Sequence, residues 1–196
     1  MEKEEKAEQV LAVLKQINPH TDFKTETRED GSLSSLRWID ENQDECYIYP
    51  TDIAIREDQI AWFQTSERDN HLLKVYDAGN EFVWEPITYN PVFGCYCLLL
   101  EWYKDHLMFI YQEKHEVYIC AVKDREVRHF KFHGEEIERK GNLIAYDTYM
   151  GKIPGKVRLI QIPELTELEP LDLPEAEKRG LIPTGLNRFD GFLALK

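Results

Sequence analysis

Serine is scarce in this chain. Ser32, Ser34, Ser35 and Ser66 are the whole supply among 196 residues. None stands in a G-x-S-x-G turn, which excludes a serine nucleophile on a strand-to-helix elbow. Cysteine is scarce as well: Cys46, Cys95, Cys97 and Cys120 make no CxxC pair and no zinc spacing. Cys95 and Cys97 are two apart, which on a strand puts both thiols on one face. All four read as small buried hydrophobes. Gly151 and Gly155 lie before Val157, which begins a strand. A phosphate-binding loop must open a helix and keep a Ser or Thr, so this segment is a hairpin loop instead.

Long apolar runs are missing too. The longest, Cys95 to Leu100, is far too short to cross a bilayer. Met1-Glu2-Lys3-Glu4-Glu5-Lys6 holds neither the apolar stretch nor the small-residue cleavage site of a secretory signal. The expectation is a cytoplasmic protein with no membrane partner. Positive charge is also short: Lys+Arg number 24 against Asp+Glu at 37, a formal charge of -13. Such a surface repels phosphate backbones, so nucleic acid is not an expected partner. It serves solubility, and it attracts a basic protein, where charge speeds encounter and suppresses wrong partners.

What the chain does have is self-similarity. Glu57-Asp58-Gln59-Ile60-Ala61-Trp62-Phe63 is followed by Leu72 to Tyr76 and then Phe82-Val83-Trp84. Lys104-Asp105-His106-Leu107-Met108-Phe109-Ile110 is followed by Val117 to Val122 and then Val127 to Phe130. Lys140-Gly141-Asn142-Leu143-Ile144-Ala145-Tyr146 is followed by Val157 to Ile162 and then Leu165 to Leu168. Each copy reads as a polar turn, an apolar strand, a polar hairpin, a second strand and a third. The first strand is apolar throughout, the second alternates, and the third carries more charge. That gradient suits a strand buried on both faces grading to a wet edge, as in a propeller blade. The spacings between starts, about 47 and 36 residues, fall in the range of blade repeats.

The predicted fold is therefore all-β and mainly antiparallel. Repeated hairpins form a partial propeller-like arrangement or irregular β-meander, with related units near 57–87, 104–133 and 140–171. A degenerate unit from Leu33 to Tyr49 brings the number to about four, the smallest closed propeller. Residues 1–19 form an N-terminal helix and 20–196 a single β-rich domain. Val10, Leu11, Val13, Leu14 and Ile17 make a helical stripe that packs on a sheet, and Asn18-Pro19 stops it. A partner-binding helix is the alternative. A short helix is expected over 172–183, with Pro174 in its first turn and Gly180 as its cap. Phe189 to Leu195 resembles the opening strand of the copies and is expected to pair back onto the sheet.

Chemistry-bearing residues are dispersed. His129 and His133 lie on a strand, where four residues separate their rings by about 13 Å, too far for one ion. His106 and His115 flank the Gln112-Glu113-Lys114 turn without carboxylates beside both. No metal and no cofactor is expected, and no catalytic residue is assigned. Arg125, Arg128, His129, Lys131 and His133 form a cationic stretch, read as a charged edge against unwanted sheet pairing, with an anion or acidic-peptide site as its alternative. Glu135-Glu136-Ile137-Glu138 reads as a charged turn between copies. Asp40, Glu41, Asp44 and Glu45 stand in an acidic turn that lacks the glycine and spacing of a calcium loop. Trp84-Glu85-Pro86 and Tyr89-Asn90-Pro91 sit in the longest linker between copies, 85–94, and long irregular segments are often functional.

Asp40, Glu41, Asp44, Glu45, Trp84, Glu85 and Tyr89 are the candidate partner-binding set. The function they suggest is a non-catalytic, acidic, intracellular protein-interaction module that occludes a basic partner, for which a toxin is one fitting class. The alternative is a hydrolase whose His and carboxylate groups converge only on folding. The oligomeric state is left open.

Overall fold

A computed structural model describes residues 3–66, 71–79, 82–89, 95–113, 116–134, 136–148 and 153–185. Helix α1 (Lys3–Ile17) is followed by β1 (Lys24–Thr27), β2 (Leu33–Ile39), β3 (Glu45–Ile48), a 3-10 turn at Pro50–Asp52, β4 (Ile53–Arg56), β5 (Gln59–Ser66), β6 (His71–Asp77) and β7 (Phe82–Tyr89). Then come β8 (Cys95–Tyr103), β9 (His106–Glu113), β10 (Glu116–Lys123), β11 (Glu126–His133), β12 (Glu136–Lys140), β13 (Leu143–Asp147), β14 (Lys156–Gln161), β15 (Thr166–Asp172), α2 (Leu173–Arg179) and β16 (Thr184–Gly185). The fold is antiparallel β with a helix at each end. The chain divides into two compact units: Met1–Phe93 with Leu100–Trp102, and Gly94–Leu99 with Tyr103–Lys196.

The first unit is built on one sheet in the order β1-β2-β3-β5-β6-β7, with β4 also pairing β5. β3 and β4 share one side of β5, pairing Thr65–Ser66 and Gln59–Trp62 respectively. They are one strand interrupted at Pro50, which cannot donate to a ladder and instead starts the 3-10 turn. The stretch from Leu33 to Tyr49 thus extends this sheet and makes no separate blade. α1 forms where its stripe predicts, and Asn18 N–H closes its last turn on Leu14 C=O at 2.9 Å. Ala7, Val10, Val13 and Leu14 are buried against Leu36, Trp38, Ile48, Ile53 and Trp62. The stripe is occupied by the sheet of its own unit, which settles the choice between packing and partner-binding for this helix.

The second unit carries two sheets, β11-β10-β9-β8 and β15-β14-β13-β12-β16. Met108, Ile110, Val117, Ile119 and Phe132 of the one pack with Ile137, Ile144, Tyr146 and Ile160 of the other. Phe130 and Phe132 both meet the Tyr146 ring, at 5.5 and 4.5 Å between centroids. α2 closes with Gly180 at φ 65 and its N–H on Ala176 and Glu177 C=O, the glycine cap its sequence announces. Its helical residues end at Arg179, inside the wider span expected. Residues 189–195 lie outside the described residues.

The three look-alike segments share one strand connectivity. β4-β5-β6-β7, β8-β9-β10-β11 and β12-β13-β14-β15 are each up-and-down meanders. Their first turns match in detail: Glu57-Asp58, Lys104-Asp105 and Gly141-Asn142 each put the first turn residue at positive φ, 47, 54 and 60. The buried-to-wet gradient is present too, from the buried β13 to the exposed β15.

Two expectations are corrected. Residues 85–89 are not an irregular linker, because β7 continues through Tyr89. Pro86 is accommodated because β7 ends its sheet among the described residues and pairing shifts there: Leu73 faces Ile87 and Val75 faces Trp84, leaving Glu85-Pro86 as a bulge opposite Lys74. Glu136 and Glu138 do not stand in a turn. They flank Ile137, which is fully buried, and the alternation makes β12 a strand.

Candidate functional site

The acidic turn between β2 and β3 is held by its own first residue. The Asp40 carboxylate accepts from the N–H of Asn42 at 2.8 Å and of Asp44 at 2.9 Å. Asp40 N–H donates to Asp44 C=O at 3.0 Å, and Gln43 adopts φ 65 to close the loop. This is the Asx-turn chemistry that makes Asp common in such loops. Asp44 is buried, Glu45 pairs with Arg37 at 3.2 Å, and Glu41 faces solvent. Trp84, Glu85 and Tyr89 lie on β7, where Trp84 pairs in register with Val75, Tyr89 pairs with His71, and Glu85 is part of the bulge opposite Lys74. The structure gives the two groups of candidates separate elements of the first sheet.

The histidines do not gather. His106, nearly buried, has both ring nitrogens engaged: Nδ1 lies 2.6 Å from the Asp105 carboxylate and Nε2 lies 3.3 Å from Arg128 Nη2. Arg128 can only donate, so Nε2 accepts and Nδ1 carries the proton given to Asp105. Lys123 donates to the other Asp105 oxygen. That bond, with His106 adding to it, holds the Asp105 carboxyl down at about 2. A His–Asp pair is present, but the lone pair a general base needs is already taken by a guanidinium. His115 lies outside the described residues. His129 sits on β11 beside Tyr118, and His133 ends the same strand. Among the described residues no three His, Cys, Asp or Glu side chains group as a metal site. Cys46 and Cys120 are buried free thiols. Burial pushes the Cys46 thiol up to about 11, and that of Cys120 higher, which makes both unreactive.

A second polar surface is one the sequence analysis did not assemble. On the face of β9, β10 and β11 opposite the Ile110–Ile119 core, Tyr111 and Tyr118 stack with centroids 4.6 Å apart and rings parallel. Tyr118 donates to Glu116 at 2.6 Å, and Lys131 bonds the other Glu116 oxygen at 3.3 Å. Those two bonds lower the Glu116 carboxyl below its ordinary range. Lys131 and His129 flank the Tyr118 ring at 5.8 and 6.3 Å. A signal was there to read: Tyr111 and Tyr118 stand equally far from the Glu113–Glu116 turn, so hairpin pairing sets them opposite each other. The arrangement offers a flat aromatic and charged surface suited to recognition.

No protein-family model matches this chain, and no curated protein does. Among solved structures, the chain is similar to the WD40 domain of SCAP from fission yeast, at 6% identity and a TM-score of 0.38, covering 76% of this chain and 44% of that one. The chain thus spans less than half the length of that neighbour.

Proposed function

We propose that this protein is a non-catalytic, acidic interaction module that covers a basic surface on a protein partner. The observation that carries the reading is the preorganised acidic turn. Asp40 fixes the loop backbone from within, so Glu41 is displayed on a backbone that needs little ordering on binding. The formal charge of -13 supplies the long-range attraction. The engaged nitrogens of His106 support a binding role over a hydrolytic one. Trp84, Glu85 and Tyr89 on β7 supply a second contact, with aromatic residues as anchors. A toxin-neutralising partner fits this chemistry.

The test is affinity capture from source lysate at low salt with salt-step elution, followed by titration of the recovered partner. A basic partner is expected, released by salt and bound several-fold more weakly by Glu41→Lys. Recovery of no protein, or of partners indifferent to both salt and Glu41→Lys, would sink the reading.

A further inference from the structure

Four side chains at one end of the second unit make a chain of contacts across β9, β10 and β11. Lys123, the last residue of β10, donates to one oxygen of Asp105. The other oxygen lies 2.6 Å from His106 Nδ1. His106 Nε2 lies 3.3 Å from Arg128 Nη2 on β11. The register explains this last contact. Met108 and Arg128 pair with Ala121 from its two sides. His106, two residues before Met108, shares their face by alternation. β9 and β11 are two strand spacings apart, about 9–10 Å. Arg128 spans that gap because its β10 partner, Ala121, is a buried methyl group that leaves the path clear.

A guanidinium can only donate, so Nε2 accepts from Arg128, and Nδ1 carries the ring proton and gives it to Asp105. A second ring proton would have to go on Nε2. It would set N–H against N–H at 3.3 Å, between two cations. The proton and Arg128 therefore compete for one lone pair. Which side yields follows from how each is anchored. His106 is buried and tied to Asp105. Lys123 holds the Asp105 carboxyl down at about 2, so it stays ionised wherever a histidine changes charge. Arg128 is exposed and can turn into water. Other charged groups stand around the ring. Asp124 and Arg125 form the β10–β11 turn, closed by Lys123 and Glu126. Lys104 and, from β12, Arg139 lie over the Tyr103 ring at 5.5 and 5.4 Å. Glu101 precedes Tyr103 by two residues on β8. Carboxylates, lysines and arginines ordinarily hold their charge where a histidine changes its own, so His106 is the group of this cluster that switches.

We propose that His106 is a proton-operated latch for Arg128. With the ring neutral, Nε2 holds the guanidinium and ties β11 to β9 across β10. With the ring protonated, His106 keeps Asp105 and releases Arg128. One proton from water enters at Nε2, and the hydrogen bond from Arg128 is what breaks. The two neighbours act on the imidazolium in opposite senses, Asp105 favouring it and Arg128 opposing it. The switch therefore shows in which partner His106 keeps. By linkage, the factor by which protonation weakens the hold on Arg128 is the factor by which Arg128 weakens proton binding. Arg128 is open to water, which keeps that factor to a few-fold. The second unit thus turns a bound guanidinium out to solvent as pH falls. All four residues of the latch belong to that unit, so the latch and the acidic turn of the first unit stand or fall separately.

The test is an NMR titration of the full chain between about pH 8 and about pH 5, the interval in which histidine changes charge. The ring nitrogen shifts of His106 report tautomer and protonation, and the guanidinium shifts of Arg128 report docking. At the upper end a neutral ring with its proton on Nδ1 is expected. On acidification the ring and Arg128 are expected to change together, with one midpoint. Arg128→Met puts an unbranched side chain without donor or charge in place of the guanidinium. In that variant His106 is expected to bind its proton about threefold or more tightly, with the melting curve kept. A neutral ring with its proton on Nε2 at the upper end would overturn the latch. So would Arg128 shifts indifferent to ring protonation, a ring still neutral at the lower end, or equal proton affinity in the two proteins. If Arg128→Met misfolds, the coincidence of the two midpoints in the unaltered chain decides.

Discussion

Asp52 ends the 3-10 turn that interrupts the strand between β3 and β4, and Thr51 Oγ1 donates to its carboxylate at 3.0 Å. Burial outweighs that bond and pushes the Asp52 carboxyl up to about 6. An acid raised in this way keeps its proton in the folded state where the unfolded chain has already lost it. Stability present below about pH 4 is therefore lost as pH rises toward 6. The rise above the ordinary aspartate value corresponds to at most about 3 kcal/mol, and the partial access of this side chain argues for about 1–2 kcal/mol. Asp52→Asn should gain that much at pH 7 and flatten the decline. Urea midpoints at pH 4.5 and 7 check it, and an unchanged difference between the two would refute the assignment. Asp105 runs the other way. Lys123 holds it down at about 2, so its contribution is present above about pH 4 and fades as pH falls toward 2. Gly134 is a steric case. A Cβ there would run into the Asp147 carbonyl oxygen and press on the Phe132 ring. Gly134→Ala should therefore destabilise the second unit by about 2–4 kcal/mol, read as a lower thermal midpoint.

Elements were legible where a period was strong, and illegible where one residue decided the matter. The α1 stripe reads directly because Val10, Val13 and Leu14 recur at helical spacing and are buried as that spacing requires. Leu14→Ala should cost the first unit about 2–4 kcal/mol, and the fluorescence of buried Trp38 and Trp62 would report its urea unfolding. The α2 cap reads equally well, because Gly180 has one common use at such a place. By contrast, β12 hides behind its charges: Ile137 alone faces the core, and one apolar residue among four charged ones carries no period. β7 hides behind Pro86, since a proline argues against a strand until the bulge and edge position are known. The polar pairs that open the copies give the turn positions but not their handedness. Glu57 sits exposed at φ 47, a conformation that costs an L-residue about 1–2 kcal/mol. Glu57→Gly should recover about 0.5–1 kcal/mol of that, the remainder going to the added freedom of the unfolded glycine. A loss of stability instead would mean the Glu57 side chain has a role the turn does not reveal.

On the scale of the whole molecule, charge was the clearest message of the sequence and the least specific. A formal charge of -13 states the sign of the field, and no residue list alone says where that field is broken. The Tyr111–Tyr118 stack and the Glu116–Lys131 pair beside it needed the register of three strands before they became a surface. The acidic turn was legible as a loop, yet its inward-facing Asp44 and the bonds of Asp40 were not. The same excess of carboxylates has a consequence for folding. Compacting 37 acidic and 24 basic side chains brings like charges together, and the repulsion is relieved by screening. Local pairs such as Arg37 with Glu26 and Glu45 oppose this trend, since salt weakens them, but they are exposed and each contributes little. The thermal midpoint should therefore rise by about 2–5 °C between roughly 10 mM and 150 mM monovalent salt. Binding of a basic partner should weaken over the same range. A midpoint that falls with salt would mean that the ion pairs outweigh the net repulsion, and that the carboxylates are more evenly matched by cations than their number implies.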